Sequence, residues 1–235
     1  MSRPIRSLAV VLVLSCGAVG AAQTPLAPPT VWPPLTFAPP EIERRDPALA
    51  RVRDRMLAAI GERSIDRVRA LMMPRIRDQE DDVPVAEVLE SFGPLAPGAP
   101  LAEEWQALEQ ALRLGGVRRG NLYVVPYIER DAARWKDVYA RLFIAGRDVP
   151  IRGSADPDGA IVARVSYALL QEAIGVPTRA GAAGAACPDW TPVIDAERTL
   201  AWVCTTDTRP VSGLYYAFAR VGSAWKLTRI YSLSD

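Results

Sequence analysis

The 235-residue sequence predicts an α+β protein, with a small helical region first and a small all-β body after it. Three observations carry this expectation. Apolar residues recur at helical spacing up to about residue 142 and at every second position from about Phe143 onward. Short strand-like runs in the second half are punctuated by turn chemistry, as in Asp156-Pro-Asp-Gly159 and Gly222-Ser223, which predicts a small barrel or sandwich. Composition is ordinary for a globular chain, with 49% hydrophobic and 23% charged residues, and excludes collagen, coiled coil and wholesale disorder.

Residues 1–22 read as an export signal. Arg3 and Arg6 form a basic start, the run from Leu8 to Leu14 is apolar, and Gly20-Ala-Ala22 precedes a cleavage position before Gln23. That apolar run is shorter than the ~20 residues a spanning helix needs, so no membrane span is expected after cleavage. The expected location is the periplasm or the outside of the cell. In the alternative, Val13-Leu-Ser-Cys16-Gly17 resembles a bacterial lipobox and Cys16 carries a lipid anchor. Cleavage moves the formal charge from +1 to −1, because the signal holds two Arg and no acid. Such a balance gives no electrostatic footprint for nucleic acid.

Residues 23–47 are a Pro-rich linker. Eight prolines from Pro25 to Pro47 forbid helix and sheet and favour an extended spacer, up to ~70 Å at ~3.1 Å per residue. The region 48–142 is expected to be mainly helical. Asp46 caps a first helix with Pro47 at its first position, and Leu49, Val52, Met56 and Ile60 face inward up to Gly61. Ser64 caps a second, with Leu71 and Met72 inward and Pro74 as its end. The acidic run Asp78-Gln-Glu-Asp-Asp82 lacks the Gly and distal Glu of a calcium loop and reads as solvated turn. Helices are expected over 84–92, 101–114 and 131–142, the last carrying Trp135 and Tyr139, with a strand over 122–128.

The second half, 143–235, is expected as one β body. A strand over 160–172 follows the Asp-Pro-Asp-Gly turn, and 173–186 is a loop of small residues. In an oxidising compartment Cys187 and Cys204 are an even pair, placed on strands 188–194 and 199–203. If their turn centres between Asp195 and Ala196, the two face each other at disulfide distance. The terminal hairpin turns at Gly222-Ser223, setting Phe218 opposite Leu227 and Arg220 opposite Trp225 as a stacking pair.

The run Asp148-Val-Pro-Ile-Arg152 followed by Ser154-Ala-Asp-Pro-Asp-Gly-Ala-Ile-Val-Ala-Arg-Val-Ser-Tyr167 resembles the opening of a bacterial SH3-like (SH3b) domain. Trp190-Thr-Pro-Val193 and Ala201-Trp-Val203 resemble its later strands, so the likeness spans roughly residues 145–212. The whole body is similar to exported SH3-domain proteins of Gram-negative bacteria. The resemblance implies an SH3-like β-barrel over 143–235, with the terminal hairpin attached, and a cell-wall component or envelope protein as partner. Tyr167, Trp190, Trp202 and Tyr215 are the expected ligand-binding aromatics, with barrel core as their other reading.

Histidine is absent, which removes Ser-His-Asp and Cys-His nucleophiles, His-dependent zinc hydrolysis and His-ligated haem. Ser223-Ala-Trp-Lys226 spells S-x-x-K but spans a hairpin turn without its partner motifs. Asp207-Thr208 is followed by Arg209 where an aspartic protease needs Gly. Glu103 and Glu104 are neighbours on different helix faces, and Gly181-Ala-Ala-Gly184 has no helix start to make a phosphate cradle. No catalytic residue, metal or cofactor is therefore expected. The expected function is a non-catalytic binding module of the cell envelope. Its alternative is a carboxylate-dependent enzyme acting on envelope glycan.

Overall fold

The computed structural model describes residues 36–40, 46–132, 138–182, 184–195 and 198–233. The export signal, Cys16, the stretch from Pro25 to Trp32 and Trp135 lie outside the described residues. Helix α1 (Pro47–Gly61) starts as expected: the Asp46 carboxylate accepts from the Ala48 N–H, and Pro47 has no N–H to leave unpaired. Helix α2 (Ile65–Ala70) stops before Met72, which opens strand β1 (Met72–Asp78) rather than facing inward from the helix. Strand β2 (Asp81–Pro84) pairs back on β1, so the acidic run is a hairpin tip with Gln79 at φ 52. Helices α3 (Val85–Ser91) and α4 (Glu103–Leu114) follow. The second ends on Gly115 at φ 76, a conformation Gly adopts without a Cβ clash. Strands β3 (Val117–Arg119) and β4 (Leu122–Val125) form another hairpin, for which Gly116 leaves room: a Cβ there would sit 2.4 Å from the Tyr123 ring.

Where a helix over 131–142 was expected, the chain makes a helical turn at Glu129–Ala132 and a 3-10 turn at Val138–Ala140, and Leu142 lies in β5 (Arg141–Ile144). The second sheet contains β5, β6 (Val149–Arg152), β7 (Ile161–Val165), β8 (Leu169–Glu172), β9 (Arg179–Ala180), β10 (Asp189–Ile194), β11 (Leu200–Cys204) and β12 (Thr208–Pro210). Its order is β12-β5-β8-β10-β11-β6-β7, with β9 beside β10. No ladder joins β12 to β7, so the sheet is open and the expected closed barrel is not formed. The stretch 160–172 is two strands, not one. The chain bends at Tyr167 (φ 48), so β7 pairs with β6 while β8 pairs with β5 and β10.

The terminal hairpin, β13 (Leu214–Val221) and β14 (Ala224–Ser232), has the expected register, with Phe218 opposite Leu227 and Arg220 opposite Trp225. Its place differs from the expectation. It lies in the middle of the first sheet, order β2-β1-β14-β13-β4-β3, with β14 parallel to β1 and β13 antiparallel to β4. Parallel pairing of such distant segments leaves no local mark in the sequence. Region 48–142, expected as mainly helical, thus also supplies β1 to β4. Pro74, which has no N–H, sits where the β1–β14 register breaks between Met72 and Arg77. The cation over the Trp225 ring is Arg118, at 5.5 Å, rather than Arg220.

Two faces of the first sheet are buried. Tyr216, Phe218, Leu227 and Ile230 pack under the four helices with Leu49, Met56, Trp105 and Leu112. Tyr215 and Ala217 face the other way, into a junction core with Tyr127, Val138, Phe143 and Val211. Phe37 joins that core: its N–H donates to the Tyr167 carbonyl at 2.8 Å, and its own carbonyl accepts from the Tyr127 hydroxyl. This end of the expected linker is docked on the body.

Candidate functional site

The four aromatics expected to line a groove do not come together in one. Trp190 and Trp202 are each 3% exposed and Tyr215 is fully buried. Trp190, Trp202, Cys187 and Cys204 form a satellite core, and exposed Arg179 closes over the Trp202 ring at 4.8 Å. Tyr215 sits in the junction core and donates to the Val211 carbonyl at 2.7 Å. Tyr167 is half-buried at the bend, with the Arg147 guanidinium 5.7 Å from its ring centre and an Arg147 Nε–H donated to its hydroxyl at 3.2 Å. The core reading of these residues accounts for their places: a short sheet needs large side chains to fill its inner face.

Cys187 and Cys204 form a disulfide, with Cα atoms 5.5 Å apart, although the register that placed them is wrong. Cys204 opposes Trp190, and the last pair of the ladder before the loop is Ile194 with Leu200. The Asp195 side chain accepts from the Thr199 N–H at 2.7 Å and Arg198 takes φ 64, so the loop is longer than the turn expected. Cys187 lies beyond the paired end of β10 and turns back to reach Cys204. Gly181 permits this, since a Cβ there would sit 2.1 Å from the Cys187 carbonyl oxygen.

A cleft of about 720 Å3 opens elsewhere, between α4 and the edge strand β12. Glu103, Glu104 and Gln110 line its helix side. Thr205 and Thr206, from the 3-10 turn Thr205–Asp207, line the other, with Arg209 of β12. Glu103 and Glu104, adjacent on the helix, both reach this cleft because it wraps the start of α4.

Arg209 is the unusual group here. It is 3% exposed, and among the described residues its guanidinium bonds to carbonyl oxygens only: Nη2 donates to Leu214, and Nη1 faces Ala107 at 3.5 Å, long for a hydrogen bond. Its Nε is buried without a partner, and among the described residues no carboxylate pairs with it. The Tyr215 ring lies 5.8 Å away. Burial pulls this guanidinium below its ordinary range, and burial raises the nearby Asp207 carboxyl. Buried charges are ordinarily paired, so a cation held on carbonyl dipoles alone is costly in isolation. Sequence reading passed over Arg209 because Thr208-Arg-Pro210 is too short to show a period, and only the rejected protease motif drew attention to it.

The cleft's chemistry is bipolar. Glu109 is bonded to Arg113 at 2.6 Å, which leaves Glu103 and Glu104 as the acids without an ion-pair partner among the described residues, opposite the Arg209 cation. The hydroxyls are committed: Thr208 donates to the Thr205 carbonyl at 2.9 Å, and Thr205 shares a hydrogen bond with Thr191 at 2.8 Å. Ser223 lies in the terminal turn and Lys226, on β14, opposes Ala219 of β13; neither lines the cleft. Among the described residues no group of three His, Cys, Asp or Glu is placed to hold a metal, and no helix is long and apolar enough to cross a membrane. No family model matches the chain, and no curated protein matches it in sequence.

Proposed function

We infer that the protein is an exported, non-catalytic binding module of the cell envelope, with the cleft between α4 and β12 as its ligand site. The observation that carries this is the buried Arg209 guanidinium, unpaired by any described carboxylate, in the lining of an open cleft of ligand size. The hydroxyls there are bonded within the fold, Thr208 to a carbonyl, Thr205 to Thr191 and Thr206 to the Cys204 sulfur, so recognition fits this site better than nucleophilic chemistry. The disulfide fits an oxidising location, either periplasmic or secreted, with anchoring through Cys16 as the alternative route. An SH3-like reading of the second sheet, as an open sheet and not a closed barrel, is supported by the bend at Tyr167 between β7, which pairs with β6, and β8, which pairs with β5 and β10.

Incubation with purified peptidoglycan tests the reading. Retention of the protein without released fragments is the expected result. Release of muropeptides would instead establish the glycan-cleaving alternative, for which Glu103 and Glu104 are the available carboxylates. No retention would redirect the search to an envelope protein partner, identified by crosslinking in intact cells.

A further inference from the structure

We propose that the α4–β12 cleft takes the free C-terminus of a short peptide, with Arg209 receiving the carboxylate and Glu103 or Glu104 the peptide's ammonium group. The inference rests on the binding reading above and names its ligand class.

Charge supplies the first argument. Arg209 is held by one carbonyl at bonding distance and a second at 3.5 Å, while its Nε has no partner among the described residues. A carboxylate is the anion whose geometry matches a guanidinium fork, and such charge-assisted pairs are about twice as strong as neutral hydrogen bonds. Binding would supply the counter-charge that the fold omits.

The neighbouring acids supply the second argument and select the anion. Glu103 and Glu104 place two negative charges on the same cleft, which disfavours a dianionic phosphate and favours a ligand carrying one negative and one positive end. Acidic wall and cationic floor together read as a site for a zwitterion.

Spacing supplies the third argument. Arg209 Nη1 faces the carbonyl of Ala107, and Glu103 and Glu104 lie three or four residues earlier on α4. At ~1.5 Å per residue that is roughly 5 Å along the axis, and side chains tilt further toward the helix start. Two or three extended residues, at ~3.4 Å each, span the gap.

The experiment titrates the purified 15N-labelled protein with trialanine, its C-terminal amide and its N-acetyl form. Arg209 Nε–H and the amides of Glu103 and Glu104 are followed by NMR. Trialanine is expected to move these resonances together, the amide to bind at least about tenfold more weakly, and the acetylated form about threefold more weakly. Replacing both acids, Glu103→Gln with Glu104→Gln, should make trialanine and its acetylated form bind alike while keeping the preference over the amide. Arg209→Lys should lower that preference. If it fails to fold, the surface double variant and the amide comparison still decide. Equal binding of acid and amide, shifts confined to other resonances, or no shifts at millimolar peptide would each overturn the assignment. Retention on peptidoglycan alongside any of those results would leave the binding reading standing and remove only the peptide terminus as its ligand.

Discussion

The two sheets are held by different means. The first is covered by helices on one face and by the junction core on the other, so Tyr215, Tyr216, Ala217 and Phe218, four residues in a row, are all buried. The second has a thin core around Ile144, Ile151, Val193 and Val203, and a satellite cluster around its disulfide. It leaves Ile161 and Ile174 exposed, at 43% and 72%. Where a region buries both faces, apolar area does the work. Where it cannot, a covalent link limits the unfolded chain instead. The cleft lies between α4 of the first region and β12 of the second, and Arg209, on the second region's edge strand, finds its carbonyl partners Ala107 and Leu214 in the first.

Removing a large side chain from the first core should give the largest effect. Trp105 is fully buried, donates its indole N–H to the Gly93 carbonyl at 2.9 Å, and meets Phe92 edge-on with ring centres 4.9 Å apart. Trp105→Ala is expected to cost about 3–5 kcal/mol in denaturant unfolding, because the cavity adds to the lost transfer energy. A loss below about 1 kcal/mol would mean that the helices do not depend on this core.

Opening the disulfide should cost less and act locally. Replacing Cys187 and Cys204 by Ala releases a link between residues 17 apart, expected to lower stability by about 3 kcal/mol. Hydrogen exchange should quicken in β10 and β11 and stay slow in β13 and β14. Equal quickening in all four strands would show that the sheets open as one unit, and the contrast between them would fail.

Legibility in the sequence followed the range of the contacts. Capping by Asp46, the Gly115 stop and the β13–β14 register are local events, and each was readable from a few residues. Placement of that hairpin was not, since its neighbours β1 and β4 lie about a hundred residues or more earlier in the chain, outside any periodic window. The same holds for the cleft. Glu103 and Glu104 were visible as acids, but nothing near them announces Arg209, which reaches α4 only through the fold. The aromatics misled for a physical reason: Trp and Tyr serve both grooves and cores, and composition cannot tell which face a strand turns inward.

The smallest expected effects separate two neighbours on β13. Both phenols are buried, yet Tyr215 donates to the Val211 carbonyl while the Tyr216 hydroxyl has no partner among the described residues. Tyr215→Phe should therefore cost about 1 kcal/mol, whereas Tyr216→Phe should be neutral or slightly stabilising, since it deletes an unsatisfied polar group. Burial raises both phenols well above their usual range. The unfolded chain ionises near pH 10 and the native state only at higher pH, so their contribution is whole below about pH 10 and is lost as pH rises further. Each Phe variant should remove part of that alkaline loss in unfolding curves taken between neutral and strongly alkaline pH. A Tyr216→Phe variant as destabilised as Tyr215→Phe would mean that its hydroxyl has a bonding partner. An unchanged alkaline slope in both would mean that the phenols ionise alike in the native and unfolded states, so that burial does not protect this strand.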